Sequence, residues 1–455
     1  MSKMLSLLLL VCTSSLSAQT FDTAKLDKYL AALDENEKAM FSLAVVENGK
    51  PVYQYSIGFS DVETKQKTNK DTQYRIGSIT KVFTAVIIFQ LIEEGKLTLD
   101  TQLSTFYPKV KNADEITISM LLSHRSGIHN FTNKPEYLQY MSSPKTKDDM
   151  ISIVEALESD FTPNSQAQYS NSGYLLLGFI IEDITKSTYA QQLESRIVTP
   201  LKLSHTVYGS KIDIKHNQAN SYVHNVAGWS AASQTDMSIP HGAGAIISTP
   251  TEVATFLAAL FSDKLVSAES LRKMKEINQG LGRGLFQFPF YDKKAYGHNG
   301  TIDGFNSVVA YFADDNVAFG LTSNGLNYSL NDINIAVLSI YYGLDYKIPD
   351  FSSSPVELTK EDLAKYEGVF ASKALPLKIT LKVKNGNLTA QATGQSALDL
   401  TAYSNLEFRF APAGIVMIFD GDSDESRDNQ KNSGNVDYAT FELQQGGGNY
   451  KFTRE

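Results

Sequence analysis

The sequence is poor in cysteine and contains no long apolar run. Its one cysteine, Cys12, lies within the first 18 residues. A chain without that segment can form neither a disulfide nor a thiolate metal site, and it has no cysteine nucleophile. The apolar run at residues 5–11 is far shorter than the roughly 20 residues that cross a membrane, and no later run is long enough. We therefore predict a fold held together by packing, without a membrane span.

The first 18 residues have the layout of a secretory signal peptide. Lys3 precedes the apolar run, and small polar residues lead to Ala18, after which we predict cleavage. The alternative interpretation, a membrane anchor, requires a longer run. This layout predicts an exported protein, either periplasmic or secreted.

Basic residues are fewer than acidic ones. The chain has 41 Lys and Arg against 50 Asp and Glu, a formal net charge of -9, and without Lys3 the balance is 40 minus 50, or -10. Such an acidic chain is an unfavourable partner for nucleic acid. The sequence alone leaves the oligomeric state open.

Length and composition predict two folded domains. The 455 residues are 42% hydrophobic and 20% charged, which is typical of a globular protein, but they exceed what one core usually serves. Pro349 and Pro355 bound a polar stretch with the composition of a linker. We divide the chain into a signal peptide (1–18), a large domain (19–345), a linker (346–355) and a β-rich domain (356–455).

The large domain shows both strand and helix patterns. Residues 42–47 and 52–57 flank Asn48-Gly49, a strong hairpin signal, and Phe305–Phe312 and residues 317–322 form a second predicted hairpin. Residues 81–94 are apolar almost all round, which predicts a buried helix. Further helices are predicted at 147–157, 172–184 and 250–260. The domain is therefore mixed α/β, whereas the tail beyond 356 follows a strand pattern.

A Ser-x-x-Lys pattern stands where the buried helix begins. If Ser78 opens the helix, Lys81 lies one turn further on the same face, where its amine can serve the serine hydroxyl as a base. Two other matches, Ser142 with Lys145 and Ser270 with Lys273, are assigned to a loop and to an exposed helix. By itself, Ser78 could equally be a helix cap.

Two further motifs follow in the chain. Tyr169-Ser170-Asn171 precedes an apolar helix, and such a tyrosine can move protons while the asparagine amide holds a carbonyl. His298-Asn299-Gly300 precedes Thr301 in a predicted strand, where the glycine would let a substrate approach the backbone. Each has a plain structural interpretation as well: a core tyrosine and an ordinary buried or surface histidine.

No metal or cofactor is predicted. His124, His129 and His241 show no ligand spacing and are interpreted as ordinary structural residues. The polar run at 421–434 carries four acidic residues, but their spacing fits no calcium loop, so we interpret it as a solvated hairpin tip.

In this order the three motifs resemble those of the serine β-lactamase and penicillin-binding protein superfamily, in the branch near class C β-lactamases and D-amino-acid peptidases or esterases. Residues 121–127 (LLSHRSG) and 244–249 (GAIIST) look like its connecting signatures. The resemblance covers about residues 21–345, and the tail with 366–370 (YEGVF) looks like a β-barrel domain appended in this branch. It implies an α/β (α+β) domain with an antiparallel sheet and a helical region, followed by a small all-β, barrel-like domain.

The resemblance also implies roles for the site residues. Ser78 would attack a carbonyl and form an acyl-enzyme, with Lys81 and Tyr169 sharing the proton transfers, and either of them could be the base. The backbone N–H groups of Ser78 and Thr301 would form the oxyanion hole, which binds the developing negative oxygen. Asn171, together with His298-Asn299-Gly300, would bind the substrate.

One position departs from the superfamily's pattern. Many members have lysine where this chain has His298, and that lysine helps to hold a substrate carboxylate. His298 would instead hydrogen-bond Tyr169 and make activity depend on pH near neutrality.

The function expected is that of an exported serine hydrolase for a peptide of the D-amino-acid or D-Ala-D-Ala type, an ester or a lactam. The alternatives are a β-lactamase proper and a penicillin-binding or cell-wall-peptide-binding protein without turnover. The Gly-x-Ser-x-Gly motif of α/β-hydrolases is absent, since Ile76 stands where the first glycine would be, and that fold is disfavoured.

Overall fold

The computed structural model describes residues 21–455 except 226, 352, 411–413, 421–437 and 446–447. The predicted signal peptide (1–18) and the predicted hairpin tip (421–434) lie outside the described residues. The helices are α1 (Thr23–Glu35), α2 (Thr80–Glu93), α3 (Ile118–Leu122), α4 (Tyr137–Tyr140), α5 (Lys147–Glu155), α6 (Asn171–Thr185), α7 (Tyr189–Leu193), α8 (Thr199–Leu201), α9 (Pro250–Leu260), α10 (Ala268–Met274), α11 (Leu330–Tyr341) and α12 (Lys360–Ala364).

The described residues also form twenty-one strands. Those of the large domain are β1 (Ala39–Glu47), β2 (Lys50–Ile57), β3 (Phe59–Asp61), β4 (Gln66–Lys67), β5 (Tyr74–Arg75), β6 (Val207–Tyr208), β7 (Tyr222–Asn225), β8 (Gly228–Ala231), β9 (Ile246–Ser248), β10 (Phe286–Phe290), β11 (Lys293–Ile302), β12 (Phe305–Phe312) and β13 (Val317–Leu326). Those of the tail are β14 (Gly368–Ala371), β15 (Lys378–Lys384), β16 (Asn387–Ala392), β17 (Leu398–Ala402), β18 (Glu407–Phe410), β19 (Ile415–Phe419), β20 (Thr440–Gln445) and β21 (Gly448–Arg454).

An antiparallel six-stranded sheet forms the centre of the large domain, in the order β10-β11-β12-β13-β1-β2. Both predicted hairpins are present: β1 pairs with β2 across Asn48-Gly49, which take positive φ angles of 50° and 75°, and β12 pairs with β13. Residues 39–46 of β1 are all buried, because helices cover both faces of the sheet. Such a strand reads as a continuous apolar run rather than as an alternation.

Helix α2 is buried among the other helices, as its sequence predicts. Eleven of its residues are buried, and the eight apolar ones belong to the same core cluster as residues of α6 and α9. Ser78 lies in a short 3₁₀ turn (Gly77–Ile79), and the α-helix itself begins at Thr80. The predicted helices at 147–157, 172–184 and 250–260 are α5, α6 and α9, with ends that differ by at most two residues.

The tail folds into a closed antiparallel barrel of eight strands, β14 to β21. The first strand pairs with the last, since Phe370 lies opposite Arg454. Large apolar side chains fill the interior, among them Phe408, Phe419 and Phe441. The predicted fold class is confirmed, while the domain boundaries at 345, 355 and 356 stay predictions. Within the described part of the chain, no helix has the length and apolar character to cross a bilayer.

Candidate active site

Three parts of the large domain bring the predicted motifs together. Ser78 lies in the turn before α2, Lys81 in the first turn of α2, and Tyr169 two residues before α6. The Ser78 Oγ lies 2.9 Å from the Lys81 Nζ and accepts a hydrogen bond of 2.7 Å from the Tyr169 hydroxyl. One hydroxyl oxygen therefore contacts an amine and a phenol at once.

Lys81 is enclosed completely, with none of its surface exposed. Its Nζ donates to the Asn171 Oδ1 at 2.8 Å and to the backbone carbonyl of Ala243 at 2.7 Å, and both of these oxygens can only accept. Burial lowers the pKa of the Lys81 amine well below its ordinary value. The positive end of α6, which begins at Asn171, disfavours an ammonium in the same way. A neutral amine fits these partners, because two N–H groups serve the two carbonyls and the lone pair faces the Ser78 hydroxyl.

Burial makes the Tyr169 phenol hold its proton, whereas it makes the Lys81 amine lose one. Burial raises the pKa of its phenol above the ordinary value, although the hydrogen bond to Ser78 opposes the shift. The phenol therefore keeps its proton near neutrality and points it at the Ser78 Oγ. Its ring packs against the His124 ring, with centroids 4.4 Å apart, and against Phe286 at 6.3 Å.

Asn171 is the first residue of α6 and is held on both sides. Its backbone N–H donates to the Asn130 Oδ1 at 3.1 Å, and its Nδ2 donates to the Thr132 Oγ1 at 3.2 Å, while its Oδ1 accepts from Lys81. One N–H of the side-chain amide is left for another acceptor.

His298 does not play the part predicted from its motif. Its Nδ1–H donates to the Asn299 carbonyl, its Nε2 is buried without a partner, and its ring stacks on Phe286 at 4.1 Å. Burial, with the neighbouring Lys81, lowers the pKa of the imidazole to about 3. The predicted hydrogen bond to Tyr169 is wrong, because neither ring nitrogen bonds the phenol. The predicted titration near neutrality is wrong as well, because the buried ring stays neutral there.

Gly300 also differs from its predicted role. A Cβ atom placed on it would lie 2.0 Å from the Ile76 carbonyl oxygen and 3.0 Å from the Ser78 nitrogen. The missing side chain therefore makes room for the turn that carries Ser78 rather than for a substrate. The side chains of Asn299 and Thr301, its neighbours along β11, are exposed.

The backbone of Thr301 faces the Ser78 turn. A Cβ on Gly77 would lie 2.9 Å from the Thr301 nitrogen. The two-residue turn makes Ile302 and Phe305 a hydrogen-bonded pair, so the next pair, formed by Thr301 and Asn306, is not hydrogen-bonded. The Thr301 N–H consequently points away from β12. The backbone nitrogens of Ser78 and Thr301 thus lie on the two segments that meet at Gly77, next to the Ser78 side chain.

The motifs missed several groups that support the site. The Ala243 carbonyl, Asn130 and Thr132 hold Lys81 and Asn171, and no local pattern marks them. The His124 Nδ1 accepts from the Ser170 N–H at 3.2 Å, and its LLSHRSG motif was the signal that could have placed it beside Tyr169.

The other sequence candidates lie apart from this site. Ser142 is in the loop between α4 and α5. Ser270 lies on the buried side of α10, whose charged side is exposed, and its hydroxyl donates to Glu93 at 2.6 Å. His129 pairs with Asp160 at 2.8 Å, and His241 stacks on Phe179. Over the residues that the structure covers, no group of three or more His, Cys, Asp or Glu side chains could hold a metal ion.

A six-stranded antiparallel sheet with a helical region, and a Ser-x-x-Lys turn under a Tyr-Ser-Asn segment, define the class of β-lactamase-fold hydrolases and penicillin-binding proteins. The chain belongs to the Beta-lactamase family, whose model matches residues 26–340. The resemblance inferred from the three motifs is therefore confirmed.

Two similar proteins are named for a hydrolytic activity. Teichoic acid D-alanine hydrolase of Staphylococcus aureus is 29% identical over 245 residues, 53% of this chain and 58% of that protein, so the chain spans less than two thirds of its length. The crystal structure of D-amino acid amidase from Ochrobactrum anthropi SV3 is similar, with a TM-score of 0.63 and 26% identity, over 70% of this chain and 98% of that chain. Both are hydrolases, in agreement with the predicted enzyme class.

A third similar structure extends beyond the large domain. The octameric penicillin-binding protein homologue from Pyrococcus abyssi has a TM-score of 0.65 and 21% identity, and it covers 95% of this chain and 100% of that chain. A match of this extent shares the fold of the barrel as well as that of the large domain.

Proposed function

We propose that the protein is a serine hydrolase that acts through an acyl-enzyme on Ser78, and that its substrates are esters or amides of D-amino acids. The observation that carries the proposal is the position of the Ser78 Oγ, within hydrogen-bond reach of both the buried Lys81 amine and the Tyr169 phenol. A serine hydroxyl is a weak nucleophile until a neighbouring base takes its proton.

The two pKa directions favour Lys81 as the base. Burial makes the Lys81 amine easier to deprotonate and the Tyr169 phenol harder to deprotonate. In acylation the Ser78 proton moves to the Lys81 Nζ as the bond from Oγ to the carbonyl carbon forms. Tyr169 then donates its proton to the departing alcohol or amine and recovers one from Lys81. Water releases the acid from Ser78 by the same steps in reverse.

The remaining groups of the site receive roles in the same proposal. The N–H groups of Ser78 and Thr301 would bind the oxyanion, and loss of one such donor costs about 100-fold to 1,000-fold in rate. The free N–H of Asn171 would hold the acyl part of the substrate. Asn299 has an exposed side chain on the strand beside the nucleophile and would contact the leaving group.

The substrate class follows from the charge of His298. A buried imidazole whose pKa is about 3 supplies no cation to hold a carboxylate next to the scissile bond. Esters and amides without that carboxylate are therefore preferred over peptides ending in D-Ala and over β-lactams. The names of the two similar hydrolases, one for D-alanine on teichoic acid and one for D-amino acid amides, agree with this preference.

The experiment compares the purified protein with its Ser78→Ala variant. Ser142→Ala is the matched control, because Ser142 stands in another Ser-x-x-Lys pattern but lies in a loop. The substrates are a D-alanyl aryl ester, a D-amino acid amide, a D-Ala-D-Ala peptide and a chromogenic cephalosporin. We expect turnover of the first two by the wild type and the control only.

Each other result has a defined meaning. Activity that survives in Ser78→Ala refutes the nucleophile. A single stoichiometric burst without turnover indicates a binding protein that is acylated once, and fast cephalosporin hydrolysis indicates a β-lactamase. We also propose that the chain is exported and loses residues 1–18, which N-terminal sequencing of the secreted or periplasmic protein tests.

A further inference from the structure

We propose that Arg75 and Asp303 are positioning residues that hold the two oxyanion-binding N–H groups at a fixed separation. This inference rests on the proposed acyl-enzyme function. Neither residue touches the Ser78 hydroxyl or belongs to the three motifs, and their positions in the chain are 228 residues apart.

The two side chains form a buried ion pair. The Arg75 Nη1 lies 2.8 Å from the Asp303 Oδ2, and their side chains are 2% and 0% exposed. The same guanidinium donates to the backbone carbonyls of Thr235 at 2.8 Å and Ser210 at 3.0 Å. The Asp303 Oδ1 accepts from both the N–H and the hydroxyl of Thr235. Four separate segments of the chain thus meet at one ion pair.

The position of the pair links it to the oxyanion hole. Arg75 ends β5 and stands three residues before Ser78, while Asp303 lies in the β11–β12 turn, two residues after Thr301. Each charged side chain is therefore anchored next to one of the two N–H donors. The backbones between them are in close contact, and the Ser307 hydroxyl donates to the Ile76 carbonyl at 2.9 Å.

A buried ion pair is a costly way to join two segments, since apolar side chains of similar size often give equal or greater stability. The ion pair instead fixes the orientation of the groups that it joins. A planar guanidinium has five N–H donors in a fixed fork, so it orients three acceptors at once. The oxyanion hole needs such precision, because a misplacement of about 1 Å can cost about 100-fold in rate.

The test is the isosteric Asp303→Asn variant. The amide that replaces the carboxylate faces the Arg75 guanidinium with either an N–H group, which cannot accept, or a neutral oxygen, which accepts more weakly. We expect kcat for a D-alanyl aryl ester to fall about tenfold to 100-fold while KM changes little. Affinity for a boronic acid, which forms a tetrahedral adduct on the serine, should fall by a similar factor. A residue that only stabilised the fold would leave both quantities unchanged in the folded fraction.

Glu252→Gln is the matched control. Glu252 is also buried, and its carboxylate accepts from the His205 N–H and the Thr206 hydroxyl, away from Ser78. It should lower the unfolding temperature without changing kcat. If Asp303→Asn does not fold, Thr235→Val removes one hydrogen bond to Asp303 and should give a smaller fall in kcat and in boronate affinity.

The outcomes separate this inference from the function on which it rests. If folded Asp303→Asn keeps the wild-type kcat and boronate affinity, the positioning role alone is overturned. Where Asp303→Asn does not fold, the same result in folded Thr235→Val overturns it. Absence of Ser78-dependent turnover in the wild type overturns the proposed function and this inference with it. An equal fall in kcat for Glu252→Gln also overturns the inference, because the effect would then follow from any buried charge.

Discussion

Replacement of Gly300 by alanine should separate the nucleophile from its oxyanion hole. The new Cβ would lie 2.0 Å from the Ile76 carbonyl oxygen, and Cβ atoms almost never approach closer than 3.0 Å. The strand and the Ser78 turn must therefore move apart by at least the difference, 1.0 Å. Gly300 does not have a positive φ angle, so the strain comes from this contact and not from the backbone conformation.

The size of the effect follows from the geometry of an oxyanion hole. Its donors act at about 2.7–3.1 Å from the oxyanion, so a shift of 1.0 Å removes one of them from range. That loss corresponds to about 100-fold to 1,000-fold in kcat, or about 2.7–4 kcal/mol of transition-state stabilisation. Because the substrate's uncharged carbonyl gains less from these donors than the transition state does, kcat and kcat/KM should fall together.

The assay is stopped-flow acylation with a D-alanyl aryl ester. Gly49→Ala is the control: its φ angle is 75° and no atom lies within 4 Å of the added Cβ, so it strains a remote turn at a cost of about 1 kcal/mol. Gly300→Ala should be slow in acylation, and Gly49→Ala should react like the wild type. A folded Gly300→Ala variant with the wild-type acylation rate would refute the proposed placement of the oxyanion hole.

Three further predictions concern Lys81, His298 and the barrel. The acylation rate should rise with pH as Lys81 loses its proton, with an apparent pKa below that of an ordinary lysine. The Lys81→Arg variant keeps its charge, so its acylation rate should be about 100-fold to 10,000-fold lower in a stopped-flow pH series. His298→Gln should leave the pH–rate profile near neutrality unchanged. The folded pKa of His298, about 3, lies below the unfolded value of about 6.5, so its contribution to stability is present above that value and is lost as pH falls toward 3. Urea titrations should then show a smaller acid loss in the variant. The buried Phe441 ring stacks on the Phe452 ring. Phe441→Ala should therefore lower the unfolding free energy of the barrel by about 3–5 kcal/mol, measured by calorimetry, and leave kcat unchanged. A parallel loss of activity would contradict separate folding of residues 356–455.

Local signals predicted four helices and two hairpins of the large domain. The apolar character of residues 81–94 gave α2, and Asn48-Gly49 predicted the first hairpin. The amphipathic pattern of residues 250–260 predicted α9, which begins at Pro250 where the Thr249 side chain accepts from the Glu252 N–H. These features depend on residues that are close together in the chain, which is why a single sequence is enough to recognise them.

The contacts that complete the site join distant parts of the chain. The fit of Gly300 depends on the Ile76 carbonyl, and the neutral state of the His298 ring depends on burial, to which Phe286 of the neighbouring strand contributes. The motif predicted a polar, titrating imidazole because it could not reveal how deeply the strand is buried. Arg75 and Asp303 carry no motif at all, since only the fold brings them together.

The pairing of β1 with β13 has a consequence for synthesis of the chain. Ala39 pairs with Leu326, 287 positions later, and Glu47 pairs with Val317. A growing chain exposes β1 and β2 long before β13 emerges, and an isolated pair of strands is marginally stable in water. Strand β1, which is buried along almost its whole length, must therefore wait for its second neighbour. A chain interrupted before residue 317 would keep an open apolar edge, which other chains can join.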